Sequence, residues 1–121
     1  MILVDTAPLV ALCDARDSHH RRALADVDRL ARRPLLLREP VITEAWLLLD
    51  TAPLRKRLDA LIAELPLRPW TPPDPEAFRR EVLDWLDRYS EHDPDWADGF
   101  LVAASWTNRG ARVWTYDSEF R

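Results

Sequence analysis

The chain has 121 residues, of which 47% are hydrophobic and 31% are charged, with a formal net charge of −4 and a single cysteine, Cys13. This length matches one domain and leaves no room for a separate binding domain. One cysteine excludes an intramolecular disulfide and a cysteine-rich zinc site, and no apolar run or signal-peptide pattern points to a membrane or to export. We therefore expect a single soluble domain in the cytoplasm.

The predicted elements alternate between short strands and helices. Short apolar runs bounded by turn residues predict strands, and apolar residues at helical spacing predict helices. The predicted strands are residues 2–5, 35–37, 67–70 and 111–116, and the predicted helices are residues 7–14, 17–31, 40–49, 53–65, 76–89 and 95–110. Right-handed crossovers between parallel strands place helices on both sides of a sheet. The pattern therefore predicts an α/β fold with a parallel sheet of four or five strands and helices on both faces.

Acidic residues recur at the ends of strands and on the adjoining helix turns. Asp5 and Asp117 lie at the carboxyl ends of the first and last predicted strands, where open parallel sheets bind their ligands. Glu44 lies on the third predicted helix. Asp98 falls in the first turns of the last helix, whose dipole favours its ionised form, and Asp95 is a candidate fifth acid one turn earlier. Each position also has a structural explanation as a cap, a turn or a strand end, so only the joint pattern predicts a site.

Carboxylates gathered in one place repel each other and raise each other's pKa unless a cation is present, which predicts Mg²⁺ or Mn²⁺ as the cofactor. One or two such ions can orient a water, lower its pKa and stabilise charge on phosphoryl oxygens. Thr6 and Thr115 stand next to the acids, and their hydroxyl groups are candidate supports for the carboxylates. The predicted chemistry is hydrolysis of a phosphate ester.

At these residues the chain resembles PIN-domain nucleases and, among them, the VapC-type toxins of bacterial toxin–antitoxin pairs. The stretches that carry the resemblance are ILVDTAPLVALCD, DSHHRRA, PVITEAWLLL, DWADGFLVAAS and VWTYDSEF, which together span nearly the whole chain. The resemblance implies one PIN-like nuclease domain over residues 1–121. It also implies the role of catalytic metal ligand for Asp5, Glu44, Asp98 and Asp117.

The same resemblance implies an activity and partners. The implied activity is that of a divalent-metal-dependent endoribonuclease, the toxin of a type II toxin–antitoxin system, which cuts tRNA or mRNA through a metal-activated water. The implied partners are a small cognate antitoxin and a second copy of the chain in a homodimer. Two features depart from the family. Ala7 stands where relatives often have a small polar residue, which predicts weaker support for Asp5. The sequence stops at Arg121, where relatives usually continue into another short strand, so we expect a weaker sheet edge or one that a partner completes.

Other functions stay open at this point. A non-catalytic PIN-like interaction module would use the acidic pocket to bind an arginine of a partner, and a housekeeping PIN nuclease would act without an antitoxin. A phosphatase with Asp5 as nucleophile is disfavoured, because Ala7 occupies the position of the expected second aspartate. The substrate-binding residues are not predicted: arginine pairs such as Arg21 with Arg22 suit phosphate, but they are also typical of solvated helix faces.

Overall fold

The computed structural model of the protein describes residues 1–68 and 70–117. The strands are β1 (Ile2–Val4), β2 (Leu35–Leu36) and β3 (Arg112–Trp114), and the helices are α1 (Thr6–Cys13), α2 (His20–Leu30), α3 (Glu39–Leu48), α4 (Ala52–Glu64), α5 (Pro75–Arg88) and α6 (Trp96–Thr107), with a 3₁₀ turn at Ser90–His92. Pro69 and residues 118–121 lie outside this description. The expectation about the sheet edge after Asp117 therefore lies outside the described residues as well.

The three strands form a parallel sheet with the order β2-β1-β3, so β1 occupies the centre. Ile2 pairs with Leu35 on one side and with Arg112 on the other, and Val4 pairs with Trp114. Every side chain of β1 is buried, although successive residues point to opposite faces of a sheet. Both faces are therefore covered, as in an α/β protein, and the predicted parallel α/β architecture is confirmed.

The predicted number of strands was wrong for the described residues. In place of a strand over residues 67–70, the structure has one isolated parallel bridge between Leu35 and Leu67. The Leu35 amide donates to the Pro66 carbonyl at 3.3 Å, and the Arg68 amide donates to the Leu35 carbonyl at 2.9 Å. Pro66 has no amide hydrogen to donate, so the ladder cannot extend from Leu67 toward the amino-terminal side.

Acidic side chains cap three of the helices, and two of these caps belong to the predicted site. Asp5 caps α1 by accepting a hydrogen bond from the Thr6 amide. Asp95 and Asp98 form a capping box at the start of α6, in which each side chain accepts from the backbone amide of the other. At its other end α6 stops at Thr107, three residues before the predicted end, because Gly110 with φ 79° belongs to the turn that leads into β3.

The core lies on both sides of β1 and fixes the helices that carry the acids. Gly99 on α6 lets that helix approach α5 closely, since a Cβ there would meet Leu86 Cγ at 3.0 Å. Cys13 is buried, and burial raises the pKa of its thiol to about 11, which makes it an inert core residue at neutral pH. Within residues 1–68 and 70–117, no helix is long and apolar enough to cross a membrane.

Candidate active site

Asp5 lies at the carboxyl end of the central strand and is only 6% exposed. Its backbone amide donates to the Trp114 carbonyl at 3.0 Å, which joins it to the end of β3. One carboxylate oxygen, Oδ1, accepts from the Thr6 amide at 2.7 Å, and the other, Oδ2, accepts from the Thr115 hydroxyl at 2.7 Å. Asp5 is thus held from two directions, by the start of α1 and by the residue that follows β3.

Glu44 reaches the same place from α3. Its Oε2 accepts a hydrogen bond from the Thr6 hydroxyl at 2.9 Å, across 38 positions of sequence. Thr6 therefore contacts two of the predicted site residues, since its amide binds Asp5 and its hydroxyl binds Glu44. The sequence predicted a supporting role for this threonine, and the structure supplies the contacts by which it could act.

Asp98 is positioned by the first turn of α6. Its amide donates to Asp95 Oδ1 at 2.9 Å, and its own Oδ2 accepts from the Asp95 amide at 3.1 Å. Asp117 follows β3, and its amide donates to the Thr115 hydroxyl at 3.0 Å. The Thr115 hydroxyl therefore contacts both Asp5 and Asp117.

One cavity of 380 Å³ collects these side chains. Its lining residues are Asp5, Thr6, Ala7, Val10, Asp17, His19, Glu44, Leu48, Asp95, Asp98 and Asp117. All four predicted acids and the candidate fifth acid, Asp95, thus lie around a single space, although they come from separate elements. No lysine or arginine is found among the described residues that line it.

Burial makes the ionised forms of these acids unfavourable. The pKa of Glu44 is raised to about 7, first by burial and then by hydrogen bonding and repulsion involving Asp95. The pKa of Asp98 is raised to about 6, again first by burial and further by the charges of Asp95 and Asp5. Burial also raises the pKa of Asp5, although Thr115 and Thr6 oppose the shift. The expected stabilisation of ionised Asp98 by the helix terminus is therefore outweighed by burial and neighbouring charge.

The donor chemistry of the cavity fits a hard divalent cation. Its polar side chains offer carboxylate and hydroxyl oxygens, with the imidazole of His19 as an exception, and Mg²⁺ prefers oxygen ligands. Across the described ranges, however, no group of three or more His, Cys, Asp or Glu side chains is arranged to hold a metal ion. Several of the oxygens instead accept the hydrogen bonds given above. A carboxylate oxygen that accepts one hydrogen bond keeps a lone pair, so these hydrogen bonds are compatible with binding a cation.

Two lining residues, Asp17 and His19, were not predicted as part of the site. The predicted helix over residues 17–31 begins three residues too early, since α2 begins at His20, and the Asp17 side chain accepts from the His19 amide at 2.8 Å. An Asp two residues before a His is a common turn pattern, so it did not indicate a site. Their position at the cavity depends on how α1 and α2 pack, which local sequence does not reveal.

The Thr115 hydroxyl supports a test of this arrangement by stability. We expect Thr115→Val to lower the free energy of unfolding by about 1–3 kcal/mol, because a buried oxygen of Asp5 loses its hydroxyl donor. Urea denaturation at neutral pH in EDTA measures the change. The matched control is Thr107→Val, whose exposed hydroxyl donates only to a carbonyl of its own helix and which should cost at most about 0.5 kcal/mol. Equal stabilities of the two variants would contradict the assigned contact.

The geometry thus defines an α/β protein with an acid-lined cavity at the carboxyl edge of a short parallel sheet. Among solved structures, the chain is similar to the crystal structure of VapC20 from Mycobacterium tuberculosis, described as a sarcin-ricin loop cleaving toxin. The two share 22% identity and a TM-score of 0.73, over 99% of this chain and 92% of that chain. No protein-family model and no curated protein matches the sequence. The resemblance to VapC-type PIN domains is confirmed at the level of the fold.

Proposed function

We propose that the protein is a divalent-metal-dependent endoribonuclease of the VapC type, the toxin of a type II toxin–antitoxin pair. The observation that carries this proposal is the convergence of acids from separate elements in one cavity, with the pKa values of three of them raised. Ionised carboxylates this close repel each other unless a cation is bound between them. A bound divalent cation can in turn coordinate a phosphate group of a substrate. The fold shared with VapC20, which is described as a sarcin-ricin loop cleaving toxin, also supports the proposal.

Each residue of the site has a proposed task. Asp5, Glu44, Asp98 and Asp117 would hold Mg²⁺ or Mn²⁺, with Asp95 as a further candidate. Thr115 and Thr6 orient Asp5 and Glu44 through the hydrogen bonds described above. When bound, the ion would lower the pKa of a water and stabilise charge on the phosphoryl oxygens. Without a cation, the carboxylates would repel a phosphate group, so substrate binding in the cavity depends on the metal.

An apolar surface near the cavity is suited to a protein partner. Leu47 of α3 and Trp96 of α6 are exposed and line one cavity that also contains Glu44 and Asp95. Exposed apolar residues that share one surface are typical of protein-binding sites. We propose that the antitoxin or a second copy of the chain covers this surface, which would place a partner beside the acids.

A cleavage assay tests the proposed activity. The purified protein should cut end-labelled RNA, presented as a tRNA pool and as a sarcin-ricin loop oligonucleotide, in the presence of Mg²⁺ or Mn²⁺. Excess EDTA should abolish cleavage, and added Mg²⁺ should restore it. Cleavage that persists unchanged in EDTA would contradict the proposal.

The second candidate is a non-catalytic interaction module. It is favoured because, among the described residues, no three His, Cys, Asp or Glu side chains are already arranged to hold a metal ion. Calorimetric titration separates the two functions. A protein that binds no Mg²⁺ and cuts no RNA, but binds an arginine-containing peptide through Asp5 and Glu44, would be such a module.

A further inference from the structure

A second cavity, which the proposed chemistry does not use, lies between α2 and β3. It measures 340 Å³ and contains four arginines, Arg22, Arg29, Arg33 and Arg112. We call it the arginine groove. Only one acid, Asp26, is found among its described lining residues, so the groove carries a formal charge of +3 from four guanidinium groups and one carboxylate. This concentration of positive charge contrasts with the net charge of −4 on the whole chain.

The arginines of the groove are only weakly neutralised by ion pairs, so they can still bind an anion. Asp26 lies one helical turn from both Arg22 and Arg29, at 3.8 Å and 3.3 Å from their nitrogen atoms. The side chains of these two arginines are nevertheless 49% and 72% exposed, and exposed ion pairs are weak. Arg33 and Arg112 are also exposed. Asp26 therefore orients two guanidinium groups without neutralising the groove.

The arginine groove adjoins the acid cavity. His19, which lines the acid cavity, stacks on Tyr116, which lines the groove, with ring centroids 4.8 Å apart. The guanidinium of Arg22 lies 4.5 Å from the same tyrosine ring. The Tyr116 hydroxyl donates to Asp26 at 2.9 Å, which fixes the ring between the two cavities. Thr115 also lines the groove and donates to Asp5, so the two spaces share a wall.

We propose that the arginine groove binds the phosphate backbone of single-stranded RNA next to the phosphate that is cut. This inference rests on the proposed nuclease function, and it assigns substrate-binding residues that the acid cavity cannot provide. The planar guanidinium group can donate two parallel hydrogen bonds to two oxygens of one phosphate. Arg22 and Arg29 are seven positions apart on one face of α2, about 10 Å along the helix axis, which lets them contact different phosphates.

The neighbouring acid cavity favours RNA over an acidic peptide as the occupant. A polyanion that continues from the groove meets the six carboxyl groups that line the acid cavity among the described residues, and a peptide carboxylate has no reaction to undergo there. A phosphodiester that continues into the cavity places a phosphate where a divalent cation would bind. The groove then supplies affinity for the backbone, while the cavity supplies the chemistry.

A pair of double variants tests the groove with a matched change in charge. Arg29→Gln with Arg33→Gln removes two charges from the groove, whereas Arg79→Gln with Arg80→Gln removes two exposed charges from α5, outside it. Binding of fluorescein-labelled oligouridine is measured by anisotropy in EDTA over a range of NaCl concentrations. The groove variant should bind at least about tenfold more weakly, and its slope of log affinity against log salt should fall by about 1.4, or 0.7 for each lost phosphate contact. The α5 variant should match the wild type.

Defined results would overturn the groove assignment. These are equal RNA affinities of the two double variants, or tighter binding of a fluorescein-labelled oligoglutamate than of oligouridine by the wild type. The binding assay contains no metal, so its outcome is independent of cleavage. Groove-dependent binding by a protein that never cuts RNA would support this inference and contradict the proposed nuclease. Cleavage in Mg²⁺ with an unchanged KM in the groove variant would overturn the inference alone.

Discussion

Asp98→Asn is expected to lower the rate of RNA cleavage by roughly 10³-fold or more, because a metal-assisted reaction loses several kcal/mol of transition-state stabilisation with a ligand carboxylate. The fold should survive, since asparagine keeps an oxygen that can accept from the Asp95 amide as Asp98 Oδ2 does. The uncharged side chain also relieves repulsion from Asp95 and Asp5. The variant should therefore be at least as stable as the wild type in EDTA at neutral pH.

Single-turnover cleavage of a labelled RNA, together with thermal denaturation of the same preparations, measures both effects. The matched control is Asp74→Asn, which changes another acid at a helix start: Asp74 caps α5 by accepting from the Ala77 amide at 3.1 Å, and asparagine caps equally well. This control should cleave at the wild-type rate. Full activity of Asp98→Asn would remove Asp98 from the proposed metal site, and unfolding of that variant would show a structural role instead.

The stability of the metal-free protein should fall as the pH rises from about 4 to about 7. In the unfolded chain, Glu44 and Asp98 titrate near their ordinary values of 4.5 and 3.8, whereas in the folded protein the pKa of Glu44 is raised to about 7 and that of Asp98 to about 6. Within this window the unfolded chain has lost protons that the folded protein retains. Each step toward higher pH therefore favours unfolding, and the contribution of the protonated acids is lost above pH 7.

Magnesium should reverse this loss at high pH. A metal at a hundredfold excess over its Kd stabilises the folded state by about 2.7 kcal/mol, which corresponds to about 10 °C in Tm for a domain of this size. The increment should be largest at pH 8 and small at pH 5, where protons compete for the carboxylates. Thermal melts in EDTA and in MgCl₂ at both pH values measure it, with Asp98→Asn as the variant that should lose most of it. An equal Mg²⁺ effect at both pH values would contradict binding at this cluster.

The sequence was sufficient to predict the main architecture. A buried apolar run ending in Asp5 indicated the first strand and its carboxyl end, although not its central place in the sheet, and helical spacing located the helices within a few residues. The strand at residues 67–70 was predicted because this short segment contains apolar residues such as Leu67, which are compatible with a buried strand. Hydrogen bonding decided against it, since a neighbouring proline cannot donate to the ladder. The local pattern of apolar residues does not show whether a missing backbone hydrogen bond at proline is enough to prevent a strand.

The acids of the candidate site were also predicted, but their environment was not. The contact between Thr6 and Glu44 spans 38 positions, and the contact between Thr115 and Asp5 spans 110, so neither appears in a local pattern. Arginine pairs suggested solvated helix faces. Arg22, from the pair of Arg21 and Arg22, shares a groove with Arg112 because α2 packs beside β3. The sequence gives no sign that these two arginines are neighbours.

Two residues 110 positions apart, Asp5 and Thr115, must meet before the acid cavity exists. Asp5 is oriented by Thr115, and β1 pairs with β3 through residues that are about as far apart in the sequence as the chain allows. During synthesis, the first strand leaves the ribosome long before the last one is made. A nascent chain that has not reached Asp117 lacks one proposed metal ligand, so any nuclease activity would appear only after translation has passed residue 117.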